Sequence, residues 1–412
     1  AATAHRTSRQ VYLLETLKLS HDPFATPVAE QELHQRGQPT HFFSYYTDPA
    51  PTATGWPLRD ALQESRSAFV LGPPGSGKTT LRYTLEADCR AQSRRTLVVT
   101  YELSHHIPGV LTADEHWRHL AEELAVDLFI QVIEQFNALS VPPTEAQRHA
   151  WRDQMARAWP RLQRVARLVL DETDLKGGLE SFWRMLGRPA INYIEPSTQL
   201  RDLLRGCLPP DNAEITRPET GEEAFLTGLH AARLWGFRQV FVLVDGVDAS
   251  RRDTEHMVAL IEPLLKALAV WQAQGVFFKF FLPFELQETI VNRLGAPLER
   301  LPCSPFEPIM TWSEDALRQL LAQRFRSAGS YRTGFDELAD ARLARQLDDA
   351  LVQAASGSPR RLLQVVNGLI DAHAGRDPHQ LQIEQKDWNQ MRQHWRYDPP
   401  APPLLIESVR HL

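Results

Sequence analysis

The chain has 412 residues, of which 43% are hydrophobic and 23% are charged. This length and composition are typical of a globular protein with two or three packed units. The formal net charge of −6 argues against a nucleic-acid binder that relies on overall basicity, although it allows a local basic patch. No apolar run approaches the length of a membrane span, and no charged-then-apolar leader is recognisable. We therefore expect a cytoplasmic protein without membrane contact.

The three cysteines, Cys89, Cys207 and Cys303, are far apart in the sequence. None belongs to a C-x-x-C pair or a Cys/His cluster, so free thiols in a reducing compartment are expected rather than disulfides or zinc.

Strands alternate with helices through most of the chain, and the C-terminal part is helical throughout. This order predicts an α/β fold, a parallel-sheet P-loop NTPase core with a large helical insertion and a C-terminal helical lid. The predicted strands are 67–71, 96–101, 239–245 and 275–282. The predicted helices outside the insertion are 11–19, 57–66, 252–273, 285–294, 313–328, 335–355 and 358–374. The predicted domains are a lead-in (1–56), a first core part (57–111), the insertion (112–237), a second core part (238–310), the lid (311–396) and a proline-rich tail (397–412).

A complete G-x-x-x-x-G-K-[ST] loop follows the first predicted strand and precedes a helix. Its glycines let successive backbone N–H groups point inward, and the helix that follows offers its positive end to an anion. Lys78 is expected to reach the β- and γ-phosphates, and the Thr79 hydroxyl to hold Mg²⁺. The predicted nucleotide-binding residues are Gly72, Pro73, Pro74, Gly75, Ser76, Gly77, Lys78, Thr79 and Thr80.

Two acids follow the most apolar predicted strand. Asp245 ends that strand, where a carboxylate can meet Mg²⁺ at the carboxyl edge of a parallel sheet. Asp248 is predicted to polarise the attacking water, with a helix N-cap as the alternative. The metal site predicted from the sequence therefore consists of Thr79 and Asp245.

These motifs resemble those of the AAA+/STAND superclass of P-loop ATPases, over roughly 60–110 and 238–375. The sequence D-G-V-D at 245–248 resembles STAND proteins, including the NACHT type, because Gly246 stands where many AAA+ relatives carry a catalytic Glu. The sequence G-S-P-R at 357–360 resembles a lid sensor, which implies that Arg360 contacts the γ-phosphate. The resemblance also implies that Arg293 or Arg300 completes the site of a neighbouring subunit.

Two further positions bear on the resemblance. The fourth predicted strand carries only Lys279 where the AAA+ pattern places a polar sensor, and strand alternation aims Lys279 away from the phosphate. The lead-in at 17–24 resembles that of secretion-type and transposon-encoded AAA+ ATPases. There Phe24 or Tyr46 could stack on adenine, with core packing as the alternative for both.

The sequence thus predicts an ATP-binding and ATP-hydrolysing, Mg²⁺-dependent switch or assembly scaffold in a multi-protein bacterial system, with conflict or antiviral defence implied by resemblance alone. Its expected partners are ATP and ADP, other proteins and further copies of itself. One alternative is a DNA-engaging AAA+ regulator of the transposition type, and another is a nucleotide-binding module without turnover. The DNA alternative depends on tryptophans among an arginine-rich run of the insertion: Arg148, Trp151, Arg152, Arg157, Trp159, Arg161, Arg164 and Arg167. Helical geometry predicts that Arg157, Arg161 and Arg164 lie near one face.

Overall fold

The computed structural model divides into two compact units. The sheet unit is Ala29–Thr311, and the helical unit combines Ala1–Val28 with Trp312–Leu412. The predicted domain boundaries stay predictions. The residues described are 6–34, 39–49, 56–92, 95–103, 110–139, 141–171, 180–191, 196–210, 220–249, 252–299, 301 and 305–394. The predicted tail, Arg300 and Cys303 lie outside them.

A parallel sheet of four strands forms the centre of the sheet unit. Its strands are β1 (Ala68–Gly72), β2 (Thr96–Glu102), β3 (Gln239–Asp245) and β4 (Val276–Pro283), in the spatial order β1-β4-β3-β2. Their near-continuous apolar sequences are buried on both faces, as parallel strands covered by helices require. The segment 306–310 borders the outer edge of β1, where the Phe69 N–H donates to the Phe306 carbonyl at 2.8 Å.

The remaining regular elements of the described residues are helices. Those of the sheet unit are α2 (Ala29–His34), α3 (Pro39–Ser44), α4 (Leu58–Ala61), α5 (Lys78–Ala91), α6 (Ala113–Glu134), α7 (Glu145–Arg157), α8 (Trp159–Asp171), α9 (Glu180–Trp183), α10 (Thr198–Cys207), α11 (Gly221–Leu234), α12 (Thr254–Lys266), α13 (Leu268–Ala273) and α14 (Leu286–Glu299). Those of the helical unit are α1 (Ser8–Gln10), which continues as a π-helical turn over Val11–Thr16, and α15 (Glu314–Ser327), α16 (Leu347–Ala355), α17 (Pro359–Arg376) and α18 (Gln385–His394). The predicted α/β P-loop fold with helical regions is confirmed.

Helices α6–α11 occupy the chain between β2 and β3, where the insertion was predicted. The longest, α6, begins at a capping box in which the Thr112 hydroxyl accepts from the Glu115 N–H and the Glu115 carboxylate accepts from the Thr112 N–H. Helix α11 has an equivalent box at Thr220 and Glu223. These local signals fix where two of the main helices begin.

Two predicted helices are interrupted. The region 335–355 is not one helix, because Asp348 accepts from the Phe335 N–H at 2.7 Å and Asp336 accepts from the Leu347 N–H at 2.8 Å. These reciprocal bonds replace helical ones and start α16 only at Leu347. The region 252–273 is also divided, because Ala267 closes α12 in a tight turn onto the Leu264 carbonyl.

No helix of the described ranges is long and apolar enough to cross a membrane.

Candidate functional site

The loop 72–79 joins β1 to α5 in a tight curl that requires glycine. Gly75 and Gly77 have positive φ angles of 80° and 93°, in the region that L side chains rarely adopt. A Cβ at Gly72 would lie only 2.6 Å from the Ser76 Oγ. Glycine is therefore needed at each of these positions, and the loop leads directly into the first turn of α5.

The Lys78 side chain is buried and folds back into this loop. Its Nζ donates to the Gly72 carbonyl at 2.8 Å and to the Pro73 carbonyl at 3.2 Å. Thr79 and Thr80 follow in the first turn of α5 and are half-buried. The loop thus gathers an ammonium group, two hydroxyls and the N–H groups of a helix start, the donors that a phosphate chain accepts from.

Asp245 is buried at the end of β3, and both of its oxygens are engaged. Its Oδ1 accepts from the Gly246 N–H at 2.8 Å, and its Oδ2 accepts from the Arg82 Nε at 3.0 Å. Arg82 lies on α5, 1% exposed, with its guanidinium 4.1 Å from the centre of the Tyr83 ring. The structure therefore joins the phosphate-loop helix to the predicted metal ligand through an ion pair.

Arg82 was not singled out in the sequence. Burial alone would lower the pKa of its guanidinium, but Tyr83, Asp245, Glu86 and Glu102, in decreasing order, raise it above its usual value. A signal was present in the spacing, because residue 82 follows Lys78 by one helical turn and shares its face.

Asp248 is exposed in the turn that follows β3. The neighbouring Arg252 donates to the Gly246 and Val247 carbonyls at 3.2 and 3.0 Å and so braces this turn. The predicted role of Asp248 in polarising water stays a prediction.

Lys279 lies in the first half of β4, paired in register with Ala68 at the start of β1. Its Nζ donates to the Glu64 and Arg66 carbonyls at 2.9 and 2.5 Å. The phosphate loop follows the opposite end of β1, so Lys279 is distant from it because of its position along the strand. Strand alternation is not the reason, since Phe277 and Phe281, on the same side of β4, pack in the cluster that includes Leu81 and Leu85 of α5.

The remaining predicted arginines are on helices. Arg360 is exposed in the first turn of α17, next to Arg361, whose N–H donates to the capping Ser358 hydroxyl at 3.3 Å. Arg293 is exposed on α14, and its Nη2 lies 2.6 Å from both carboxylate oxygens of Glu255 on α12. The sensor and finger roles stay predictions.

The arginine-rich run does not form one basic face. Helix α7 ends at Arg157 and α8 begins at Trp159, so the prediction that Arg157, Arg161 and Arg164 share a helical face is wrong. Trp151 and Trp159 are buried in the core. Arg161 is held by Glu123, with a closest distance of 2.7 Å.

The two aromatic candidates for adenine stacking are in different surroundings. Phe24 is fully buried in the helical unit, with its ring centre 5.3 Å from that of Phe325, which agrees with core packing. Tyr46 donates to Asp48 at 2.7 Å, and the guanidinium of Arg59 lies 5.7 Å from its ring centre.

Cys89 and Cys207 are free and buried. Within the described ranges, no group of three or more His, Cys, Asp or Glu side chains could hold a metal ion.

Comparisons with known proteins add a distant structural likeness. No protein-family model matches the chain, and no curated protein matches it. Among solved structures, the chain is similar to the ORC2 protein of Aeropyrum pernix, in ADPNP and ADP complexes, over 90% of this chain and 74% of that one. The sequence identity is 10% and the TM-score is 0.39. A likeness of this size carries no conclusion about function, which depends on the geometry above.

Proposed function

We propose that this chain binds ATP with Mg²⁺ in the loop 72–79 and hydrolyses it. The observation that carries the proposal is the Lys78 side chain, buried and directed into a glycine-shaped loop at the start of α5. In the nucleotide complex, phosphate oxygens replace the Gly72 and Pro73 carbonyls as acceptors of the ammonium group. Adenine is preferred to guanine only by the resemblance of the motifs.

Different groups of the chain bind the phosphates and the metal ion in this proposal. The loop N–H groups and Lys78 bind the β- and γ-phosphates, and the Thr79 hydroxyl and Asp245 are the residues that would hold Mg²⁺. When bound, Mg²⁺ neutralises charge on the phosphate oxygens. Asp248 is the predicted group that polarises water, and Arg360 the predicted group that senses the γ-phosphate.

The biological output is a nucleotide-driven switch or assembly scaffold in a multi-protein bacterial system. The D-G-V-D and G-S-P-R sequences support a STAND-type switch, with conflict or defence as the setting that this resemblance suggests. In an assembly of identical chains, Arg293 would leave Glu255 and approach the nucleotide of a neighbour. Protein partners and further copies of the chain are therefore proposed as its ligands besides ATP and ADP.

The first test is ATP binding and phosphate release by the purified chain and its Lys78→Ala variant. Loss of charge-assisted hydrogen bonds to phosphate should cost about 2–3 kcal/mol of binding free energy, an increase in Kd of about 30- to 150-fold. Lys266→Ala is the matched control, because the Lys266 side chain is 61% exposed and pairs with Glu262 on its own helix. Equal ATP affinity in the Lys78→Ala variant and the wild type would contradict the proposal.

One observation favours a module that binds nucleotide without turnover. The Asp245 carboxylate already has an N–H and a guanidinium as partners. A metal ion that binds this carboxylate must therefore displace Arg82 or share the carboxylate with it. This alternative predicts ATP binding without phosphate release in the wild type.

The transposition-type alternative is tested by adding DNA at low and moderate salt. It predicts that DNA stimulates ATP hydrolysis and that this stimulation fades as the salt concentration increases.

A further inference from the structure

A second carboxylate stands beside Asp245 at the carboxyl edge of the sheet. In the β2–β3 ladder, Glu102 is the register partner of Asp245, and each is the last residue of its strand. Neighbouring strands are about 4.8 Å apart. The two acids are thus anchored side by side by strand backbone.

Strand alternation places both acids on the face that carries the phosphate-loop helix. On β3, Phe241 and Leu243 pack in the cluster that includes Leu81 and Leu85 of α5. Asp245, two residues further, follows this alternation and bonds to Arg82 of α5. On β2, Val98 packs in the same cluster and the Thr100 hydroxyl donates to Glu86 of α5 at 3.3 Å. Glu102 comes next on that face.

The guanidinium of Arg82 interacts with Asp245, Glu86 and Glu102. Its Nε contacts Asp245, and its Nη1 is 3.8 Å from the Glu86 carboxylate. The Glu102 carboxylate is near enough to contribute to the raised pKa of Arg82, after the larger influences of burial, Tyr83, Asp245 and Glu86. A buried guanidinium therefore stands among three acids, two of them at the sheet edge.

We infer that Glu102 is the general base for ATP hydrolysis, an inference that rests on the proposed function. The water oxygen attacks the γ-phosphorus, and its proton passes to the Glu102 carboxylate. The bond from the γ-phosphorus to the β,γ-bridging oxygen breaks, and ADP leaves with the electron pair. Phosphate and ADP are released, and Glu102 returns its proton to solvent. Arg82 is the positioning residue, because its guanidinium contacts Asp245 and its charge acts on the Glu102 carboxylate.

The positions of the other candidates favour Glu102 over them. Gly246, next to Asp245, has no side chain to act as a base. Asp248 is exposed in a turn three residues beyond the strand. Glu102 is half-buried and its backbone belongs to the strand ladder itself, so its position is more firmly fixed than that of Asp248. A general base needs this fixed orientation to take a proton from a bound water.

The test compares Glu102→Gln with the wild type in phosphate release, ATP affinity and urea unfolding. Glutamine keeps the size of the side chain but cannot accept a proton, so turnover should decrease about 100- to 10,000-fold. ATP affinity and the unfolding midpoint should be unchanged, and bound ATP should persist longer in the variant than in the wild type. Glu102→Asp, which keeps the carboxylate, should restore part of the turnover. Glu222→Gln, an exposed glutamate on α11, is the matched control.

The outcomes separate this inference from the proposed function. An active wild type with an equally active Glu102→Gln variant overturns the inference alone. If Asp248→Asn abolishes turnover and Glu102→Gln does not, the base is Asp248. A wild type that binds ATP and never releases phosphate contradicts both the inference and the hydrolysis proposed above.

Discussion

At the scale of single residues, Lys279 is a lysine of the sheet unit whose side chain is fully buried in the middle of β4. Its partners are two backbone carbonyls, and its Nζ lies 4.5 Å from the centre of the Phe241 ring. Burial lowers the pKa of Lys279 from 10.5 to about 7, with smaller contributions from Cys89, Arg66 and Glu64. The side chain is therefore close to its titration point at neutral pH.

This lowered pKa makes stability depend on pH in a definite direction. Between pH 7 and 10.5 the unfolded chain binds more protons at Lys279 than the folded chain does, so its contribution to the free energy of unfolding rises with pH. The full difference is of the order of 5 kcal/mol. Lys279→Met removes this dependence, so its stability relative to the wild type should decrease from pH 7 to pH 10. Urea unfolding at both values measures it, and a constant difference would contradict the lowered pKa.

At the level of residues, the sequence is most informative where local chemistry determines geometry. The loop at 72–79 was recognisable because glycine spacing and one lysine define its shape. Arg82 and Glu102 were missed because their importance comes from Asp245, which is far along the chain but adjacent in the sheet. The polar residues Thr96, Thr100 and Glu102, spaced by two or four in an apolar strand, were the available signal.

At the scale of elements, α6 and α11 pack against each other through glycines. A Cβ at Gly221 would lie 2.2 Å from the Asp114 carbonyl oxygen and 2.7 Å from the Arg118 nitrogen, both backbone atoms of α6. A Cβ at Gly228 would lie 2.8 Å from a methyl carbon of Leu124. Backbone cannot yield as a flexible side chain does, so the contact at Gly221 is the stricter of the two.

We expect Gly221→Ala to destabilise the sheet unit by about 1–3 kcal/mol, since one methyl group forces the two helices apart. Thermal unfolding followed by circular dichroism measures the loss. Gly206→Ala on α10 is the matched control, because a Cβ there meets no atom within 4 Å and alanine favours a helix. Equal melting temperatures for the two variants would show that the helices are not in tight contact at Gly221.

Helix boundaries were less predictable than the strands. The four strands appear as continuous apolar runs, and each lies close to its predicted position. The break before α16 depends on the side chains of Asp336 and Asp348, which bond backbone groups about a dozen residues away. Hydrophobic periodicity contains no information about these side-chain bonds, because the residues between Asp336 and Asp348 have ordinary helical propensities.

At the scale of the whole sheet unit, buried ion pairs connect the candidate site to the insertion. From Asp245 and Arg82 the chain of contacts passes to Glu86 and then Arg90, which binds Glu134 of α6. Thr100 joins the same region to Asp127, since its N–H donates to that carboxylate at 2.9 Å. Asp127 in turn pairs with Arg188, whose Nε is 2.6 Å away. The insertion and the phosphate-loop helix therefore share one buried polar network.

Among the residues of this network, we expect replacement of Arg188 to lower the free energy of unfolding the most. Its guanidinium binds both Asp127 and Glu123, and despite the opposing effect of burial these acids raise its pKa well above the usual value. Arg188→Met leaves Asp127 buried without this cation, while the half-buried Glu123 keeps Arg161, so the free energy of unfolding at pH 7.5 should decrease by about 3–5 kcal/mol.

The deficit should shrink on acidification, because a carboxylate that has lost its cation takes up protons more readily in the folded than in the unfolded chain. Urea unfolding of the Arg188→Met variant at pH 7.5 and 5.5 tests this. Arg205→Met is the matched control, since the Arg205–Asp202 pair is 62% and 63% exposed and should contribute less than about 1 kcal/mol. An Arg188→Met deficit that is the same at both pH values would mean that packing, and not charge, makes Arg188 important. The pairs that Arg188 makes with Asp127 and Glu123 would then contribute to stability by filling space rather than by charge.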